Sequence, residues 1–195
     1  MPIDCAFSSC SSLTSITIPE GVTAIGNSVF SGCSKLKSVS LGSGVKSIGN
    51  FAFGNCGELM NITIPNGVTS IGDRAFNNCY ELASVSLGTG VKSIGDFAFS
   101  GCSGLTSIVI PESVTDIGEF AFDRCGNLKD VYYAGNADKW ADITIRDNNS
   151  DLESAKIYFY SPEKPPLNQD GTDYDGNYWR YVDNVPTPWV PKEEI

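Results

Sequence analysis

Residues 105–125 read LTSIVIPESVTDIGEFAFDRC, and the chain contains four earlier variants of the same segment. The distance between equivalent residues is 23 positions throughout, without a single insertion or deletion. Six columns of identical residues keep this step, and they begin at Phe7, Cys10, Leu13, Val22, Ile25 and Gly26. A period between about 20 and 29 residues that opens Leu-x-x-Ile/Val-x-Ile/Leu is typical of a leucine-rich repeat, a unit that stacks into a solenoid.

Each unit predicts a short strand, a second extended segment and a turn. In the unit that starts at Leu59, Ile62 and Ile64 alternate with small polar residues, which predicts a strand with one buried face. Gly72 suits a backbone bend with φ > 0, and a helix-capping residue type follows it in most units. We therefore expect one helical or 3₁₀ turn over Ala-Phe-x-x-Cys.

A single unit cannot fold alone, because ordering its backbone costs more than its few apolar side chains can offset. Stacking on neighbouring units supplies the missing burial. The sequence therefore predicts a repeat solenoid: a curved, right-handed stack of 23-residue coils with parallel β-strands, short helical or 3₁₀ turns and an irregular C-terminal cap.

Alternate units differ just after the first strand, where proline alternates with glycine in the order Pro19, Gly42, Pro65, Gly88 and Pro111. The two glycine units also carry Lys46 and Lys92, where the proline units carry threonine. We infer that the copied unit is a pair of coils. Surface features on this edge then recur at about twice the ~4.8 Å strand spacing.

The consensus L-x-x-I-x-I-P-x-x-V-x-x-I-G-x-x-A-F-x-x-C resembles the BspA-type (Treponema pallidum-type) leucine-rich repeats of bacterial surface proteins, over residues 5 to about 160. The resemblance implies a curved solenoid of parallel strands that is exposed on or secreted from the cell. It also implies a role in adhesion or protein binding and no catalytic residues. Ser28 and Arg74 depart from the aromatic residue at Phe51, Phe97 and Phe120, which interrupts a second aromatic column.

The composition excludes several function classes. The chain has 13 Lys+Arg against 23 Asp+Glu, a formal net charge of −10, so it lacks the basic surface that nucleic acid or an anionic membrane needs. It has no histidine, which removes Ser/His/Asp and Cys/His catalysis and the commonest metal ligand. Apolar runs stay well below about 18 residues and residues 1–12 lack signal-peptide features, so we expect no membrane insertion.

Six of the seven cysteines lie in one column, which brings neighbouring thiols within the distance range of disulfides. Parallel stacking points their Cβ atoms the same way, which favours buried free thiols that pack as small apolar groups. Some bridge formation is the alternative, with the out-of-phase Cys5 as the best candidate. The cysteines show no C-x-x-C pair, so we predict no metal site and no cofactor. The phenylalanine column is interpreted as core.

Outward positions of the first strand form two rows of mostly small hydroxyl side chains, which can hydrogen-bond an extended glycan or peptide. The rows lack the Trp, Tyr and Arg anchors of tight interfaces until the C-terminal end, where aromatic residues come together. The alternative is a solvated sheet whose serines and threonines simply suit strands. The predicted binding patch consists of Ser107, Val109, Asp130, Tyr132, Tyr133 and Trp140.

The two ends of the chain depart from the repeat. We predict a partial repeat at 1–12, five leucine-rich repeats at 13–127, a degenerate capping repeat at 128–160, and a linker with an aromatic tail at 161–195. The N-terminal end shows no cap. We therefore expect either a fragment or a trimmed chain, or an edge that self-association covers.

The tail offers two further patterns. Asp170, Asp173 and Asp175 suggest a calcium loop but do not fit D-x-[DN]-x-[DN]-G, so a solvated turn is favoured. Residues 178–189 predict two short extended arms about an Asp-Asn turn, and the prolines confine the second arm to a sheet edge. We expect the tail to pack on the cap, and a small adhesive segment is the alternative.

These patterns together predict a non-catalytic, adhesion-type binding module of a bacterial cell-surface or secreted protein. Its partner would be a host or bacterial surface protein or a glycan. A structural spacer without its own ligand is the first alternative. A carbohydrate-active enzyme that uses two carboxylates needs no histidine and is the second, although no repeat position makes acidic residues converge.

Overall fold

The computed structural model describes residues 4–169, 173, 174 and 176–190. Its long sheet has nine strands in the order β1-β3-β5-β7-β9-β11-β13-β14-β15, and its short sheet has six in the order β12-β10-β8-β6-β4-β2. Each repeat contributes one strand to each sheet. The core lies between the two sheets and a third side made of turns.

The long sheet consists of β1 (Ser15–Ile18), β3 (Ser38–Leu41), β5 (Asn61–Thr63), β7 (Ser84–Ser86), β9 (Ser107–Ile110), β11 (Asp130–Tyr133), β13 (Lys156–Tyr160), β14 (Tyr178–Val182) and β15 (Val185–Pro188). The short sheet consists of β2 (Ala24–Ile25), β4 (Ser47–Ile48), β6 (Ser70–Ile71), β8 (Ser93–Ile94), β10 (Asp116–Ile117) and β12 (Thr144–Ile145). Two short helices, α1 (Ala137–Ala141) and α2 (Ser150–Ser154), belong to the C-terminal cap.

Neighbouring strands are parallel and their register confirms the repeat. Ser15 pairs with Ser38 in the long sheet and Ile25 pairs with Ile48 in the short sheet, a step of 23 residues in both cases. Among the strands of the described residues, only β15 runs antiparallel, to β14. The predicted parallel solenoid is thus confirmed.

The third side of each coil is a run of turns, so the prediction of a helical or 3₁₀ turn over Ala-Phe-x-x-Cys is wrong. Gly54 N–H donates within its own coil to the Phe51 carbonyl (3.0 Å), but Phe53 N–H donates to Ala75 of the next coil (2.8 Å). Because alternate N–H groups leave the coil, a continuous helical hydrogen-bond pattern cannot form. Two left-handed residues per coil produce this alternation, as at Phe51 (φ 55°) and Asn55 (φ 59°).

The expected bend with φ > 0 at Gly72 is also wrong, because the left-handed residue is Arg74 (φ 56°). Gly72 is needed for close approach instead: a Cβ there would lie 2.5 Å from Oδ1 of Asn50 in the preceding coil. Asn50 itself does not cap a helix. Its Oδ1 accepts a hydrogen bond from the Asp73 N–H of the next coil (2.9 Å), and equivalent residues repeat this bond along the stack.

The phenylalanine and cysteine columns form the core on the turn side. Rings of Phe53 and Phe76 stack with centroids 5.3 Å apart, as do their equivalents along the column. Each thiol from Cys33 to Cys125 is buried and free and donates to a phenylalanine carbonyl of the coil before, as Cys56 does to Phe30 (3.2 Å). Burial raises the pKa of Cys56 to about 12, so this thiol is unreactive at neutral pH. Cys10, the first residue of the column, and the out-of-phase Cys5 are exposed.

Arg74 fills the gap in the second aromatic column. Its guanidinium lies 5.4 Å from the ring centroid of Phe51 and 4.4 Å from that of Phe97, and Phe97 in turn stacks on Phe120 at 4.7 Å. A cation between two aromatic faces is attracted by both ring quadrupoles. The residue that interrupts the pattern in the sequence therefore continues the stack in space.

The last coil is capped by a buried asparagine. In the earlier coils, the N–H of the column phenylalanine donates to a backbone carbonyl of the next coil. In the last coil, Phe122 N–H donates instead to Oδ1 of Asn149 (3.0 Å). The Asn149 amide donates in turn to the Gly118 carbonyl (2.9 Å) and to the Arg146 carbonyl (2.8 Å). One side chain thus replaces the backbone of a further coil.

Strand pairing in the long sheet alternates with the proline and glycine coils. Strands β1 and β3 pair at four positions and β5 and β7 pair at three, whereas β3–β5 and β7–β9 each pair at one position, Ser38↔Asn61 and Ser86↔Val109. A glycine coil also packs tightly on the proline coil before it, because a Cβ on Gly88 would lie 2.3 Å from the Pro65 carbonyl oxygen. Strand pairing thus repeats over two coils, and we call the sparsely paired junctions β3/β5 and β7/β9 the open seams.

Substitution of Gly90 tests the close packing between coils. A Cβ at Gly90 would lie 2.3 Å from the Asn66 carbonyl oxygen, whereas Gly21, at the same repeat position, has nothing within 4 Å of its Cβ position. We expect Gly90→Ala to lower the free energy of unfolding by ~1–3 kcal/mol. Gly21→Ala should change it by less than about 0.5 kcal/mol. Urea denaturation measures both, and equal losses would contradict the packing described.

Candidate functional site

Four of the six predicted binding residues, Ser107, Val109, Asp130 and Tyr132, lie on the outward face of the long sheet near its C-terminal end. Ser107 pairs with Asp130, and Val109 pairs with Tyr132. Ser107, Val109 and Asp130 are each half-buried. The register carries both rows one strand further, to Lys156 and Tyr158 of β13, which the sequence analysis missed. No conserved repeat residue precedes these two positions in the sequence, so they can be assigned to the rows only from the register of β13.

Tyr132 is the floor of this region rather than an exposed anchor. Its side chain is 8% exposed, because the ring stacks on Tyr158 with centroids 5.3 Å apart and is covered by Trp179 at 5.5 Å. Burial, with smaller contributions from Asp130 and Tyr158, raises the pKa of Tyr132 to about 12. The phenol therefore stays neutral in any physiological medium and can donate a hydrogen bond.

The prediction that Tyr133 belongs to the binding patch is corrected by its burial. Tyr133 is 1% exposed and lies in the core, because successive residues of a strand face opposite sides of the sheet. Its ring contacts Trp140 of α1 edge-on, with centroids 5.2 Å apart. Trp140 is half-buried against the core on that side. Tyr133 and Trp140 thus pack the cap against the core. The alternation of side chains along β11 was the sequence signal for the burial of Tyr133.

The aromatic tail extends the long sheet and packs on the cap. Trp179 of β14 lies beside Tyr160 of β13 in register, is fully buried, and donates from Nε1 to the Tyr133 carbonyl (2.8 Å). Tyr160 and Tyr181 contact its ring edge-on, with centroids 5.1 Å and 4.9 Å away. Trp189 adds a second anchor, because its Nε1 donates to the Ser161 carbonyl (2.9 Å).

The end of the tail hairpin faces the outward rows and forms a cleft with them, which we call the hairpin cleft. It has a volume of about 210 Å³. Val185 and Pro186 form one wall, and the open seam between β7 and β9 forms the other. The predicted residues that meet here are Ser107, Val109 and Tyr132, joined by Ser84, Val85 and Ile108.

The other open seam, between β3 and β5, widens into a shallow cavity of about 600 Å³ on the same face. Ser40 and Thr63 bring hydroxyl groups to it, and Leu41, Ile64 and Pro65 bring apolar surface. The hairpin cleft has the same combination of serine hydroxyls and aliphatic groups. Both openings in the sheet therefore offer hydrogen-bonding groups beside apolar carbon.

A third cleft, of about 210 Å³, lies at the cap and bears on the carboxylate-enzyme alternative. Glu112 and Asp142 both line it, together with Tyr133 and Lys139. The Glu112 carboxylate accepts a hydrogen bond from the Lys139 ammonium, and this bond raises the pKa of Lys139. Glu112 is thus engaged in an ion pair.

Metal and membrane features can be stated for the described part of the chain. Among residues 4–169, 173, 174 and 176–190, no group of three or more His, Cys, Asp or Glu side chains is arranged to hold a metal ion. The calcium-loop alternative falls partly on Asp170 and Asp175, which lie outside the described residues. No helix in the same ranges has the length and apolar character to cross a membrane.

Residues 4–129 match the model of the BspA type leucine rich repeat region, in six copies. The chain belongs to the BspA-type leucine-rich repeat family. Leucine-rich repeat solenoids generally use their extended sheet surface for binding. The resemblance seen in the sequence is thus confirmed.

Two solved structures show the same fold. The Treponema pallidum leucine-rich repeat protein is 34% identical with a TM-score of 0.60, over 62% of this chain and 58% of that one. A leucine-rich repeat protein from Bacteroides ovatus is 30% identical with a TM-score of 0.57, over 84% of this chain and 54% of that one. The BspA-type chain thus spans little more than half of either relative. No curated protein matches it.

Trp179 tests whether the tail is held as described. Trp179→Phe removes the Nε1 donor and leaves the buried Tyr133 carbonyl without its partner, which costs ~1–3 kcal/mol locally. We expect faster proteolysis within residues 161–178, while the repeats stay intact. Trp140→Phe, on the far side of the sheet, is the control and should leave this segment as resistant as in the wild type. Unchanged cleavage in both variants would contradict the anchoring role of Trp179.

Proposed function

We propose that this chain is a non-catalytic binding module of a bacterial cell-surface or secreted protein. It holds an extended, hydroxyl-bearing ligand along the outward rows of the long sheet, with one part of the ligand under the tail hairpin. The observation that carries the proposal is the hairpin cleft. There a wall from the tail faces Ser107 and Val109, which a bare repeat sheet would leave open to solvent.

The chemistry of the rows supports a polymer as the ligand. Ser and Thr hydroxyls both donate and accept hydrogen bonds, so they suit a chain that presents polar groups at regular intervals. The two-coil period places the seams about two strand spacings apart, or ~9.6 Å. A polymer with a matching repeat can meet both seams in the same way.

A host or bacterial surface protein or a surface glycan is the proposed partner class. The net charge of −10 disfavours polyanions such as nucleic acid. Self-association through the first coil stays a prediction. Phe7 there stacks on Phe30 and is 43% exposed, so it offers apolar surface to a second molecule.

Binding by the chain tests this proposal, with two matched variants. The chain would be screened against mucins, matrix proteins and extended glycans, and the affinity for the best ligand would be measured. Ser107→Lys places a long cation in the hairpin cleft and should weaken binding at least about tenfold. Ser15→Lys makes the same change in the same row at β1, outside the cleft, and should have little effect.

Two results would contradict the proposal. One is the absence of any ligand in the screen. The other is a ligand whose affinity falls equally in Ser15→Lys and Ser107→Lys, because the cleft would then have no special role. Loss of binding through unfolding is separated from loss of contact by comparing the melting temperatures of the two variants.

A further inference from the structure

A fourth cavity lies on the Tyr158 side of the Tyr132–Tyr158 stack, inside the tail, and we call it the tail pocket. It has a volume of about 220 Å³ and is lined by residues that include Lys156, Tyr158, Asp173, Tyr174, Asn177 and Trp189. Lys156 and Tyr158 continue the two outward rows beyond Asp130 and Tyr132. The tail pocket is thus at the C-terminal end of the surface on which the hairpin cleft lies.

The size of the tail pocket matches a single ring rather than a drug-sized ligand. Pockets that enclose drug-sized molecules run from about 300 to 1,000 Å³. A cavity of about 220 Å³ is smaller than this range and fits one six-membered ring with its substituents. A chain that lies on the rows can place a single terminal residue in it.

The aromatic residues of the pocket are held rigidly and offer carbon surface. Trp189 has its N–H committed to the Ser161 carbonyl (2.9 Å), and the Arg180 guanidinium lies 3.8 Å from its ring centroid. Tyr174 is 7% exposed and meets Trp189 edge-on, with centroids 6.1 Å apart. Rigid aromatic carbon of this kind packs against an apolar ring face without losing side-chain entropy.

The polar residues of the pocket supply both donors and acceptors. The Asn177 carboxamide offers two donors and an acceptor, and its backbone carbonyl is already used by the Phe159 N–H (2.8 Å). Asp173 Oδ1 accepts from the Tyr174 N–H (2.7 Å), which fixes the carboxylate and leaves the other oxygen as an acceptor. The exposed Lys156 ammonium adds donors. Hydroxyl groups, which donate and accept, match such a mixed set.

Charge excludes the other small ligands that aromatic pockets bind. Cations favour aromatic faces, but Lys156 already lies 4.8 Å from the Tyr158 ring centroid, and Arg180 already occupies one face of Trp189. A quaternary ammonium would meet these like charges. An anionic ligand would meet the Asp173 carboxylate in a chain with a net charge of −10. A neutral polyhydroxylated ring meets neither obstacle.

We propose that the tail pocket binds one neutral pyranose ring, with an apolar ring face on the side of Trp189 that Arg180 leaves free and its hydroxyls on Asn177, Asp173 and Lys156. This inference rests on the proposed function, because the ring is then the end residue of a glycan that lies along the outward rows. It assigns a glycan, rather than a protein, as the ligand class.

The three tryptophans of the chain allow a direct test by NMR. Their indole N–H signals come from Trp140, Trp179 and Trp189, and substitution by phenylalanine assigns each one. The whole chain would be titrated with D-glucose, D-galactose, D-mannose and N-acetyl-D-glucosamine, and with choline and D-glucuronate as charged comparisons. We expect at least one neutral sugar to shift the Trp189 signal saturably, with a dissociation constant on the order of millimolar. The Trp140 signal should not move.

Asn177→Ala removes a pocket side chain and keeps the backbone hydrogen bond to Phe159. It should lower the affinity for the sugar at least about fivefold. The Trp140 and Trp179 signals report that this variant stays folded. The inference is overturned if no neutral sugar moves the Trp189 signal, if only a charged ligand does, or if Asn177→Ala leaves the affinity unchanged.

Failure of this inference and failure of the proposed function give different results. A polymer whose affinity depends on Ser107 but which leaves Trp189 unmoved supports the proposed function and removes the tail pocket. If a monosaccharide shifts the Trp189 signal but no ligand is found for the outward rows, the tail pocket is supported and the proposed function is not.

Discussion

Backbone hydrogen bonds between coils are the constraint on which the rest of this structure depends. On the turn side, Phe53 N–H donates to Ala75 and the equivalent bonds repeat from coil to coil. On the short-sheet side, Gly72 N–H donates to the Ile48 carbonyl (2.9 Å). Since these groups are buried, an unpaired one would cost ~1–3 kcal/mol. A different step inside a strand or turn would move these groups out of register, which explains the constant 23-residue step of the repeats. The longer cap segment restores the register at Asp116↔Thr144 and Asp130↔Lys156.

Much of the fold follows from the sequence because the repeat shows which positions are equivalent. Columns such as Leu59 and Phe76 recur without exception, and their burial follows from stacking alone. The turn side could not be predicted in the same way. The left-handed backbone at Phe51 and Arg74 is imposed by hydrogen bonds to the neighbouring coil, although neither residue type favours it. Propensity rules describe one segment at a time, whereas the conformation of these turns depends on hydrogen bonds between two neighbouring coils.

The candidate site was predictable where it lies within the repeat and not where the tail meets it. Ser107 and Val109 were placed correctly by strand alternation. Burial of Tyr132 depends on Trp179, which is far away in sequence and reaches the sheet only because β14 adds beside β13. No repeat position indicates that contact. The binding features proposed for this solenoid thus lie at the point where periodicity ends and a non-repeating segment folds back over the rows.

Native-state hydrogen exchange tests the central claim, that coils are stable only through their neighbours, most directly. The Gly54 amide is bonded within its coil and the Phe53 amide between coils, so the pair compares both kinds of bond in one turn. If coils are stable only through their neighbours, both amides have the same opening free energy, with values highest in the middle coils and falling toward the ends. Protection of Gly54 that persists after Phe53 has exchanged would show instead that a coil holds its turn without its neighbours.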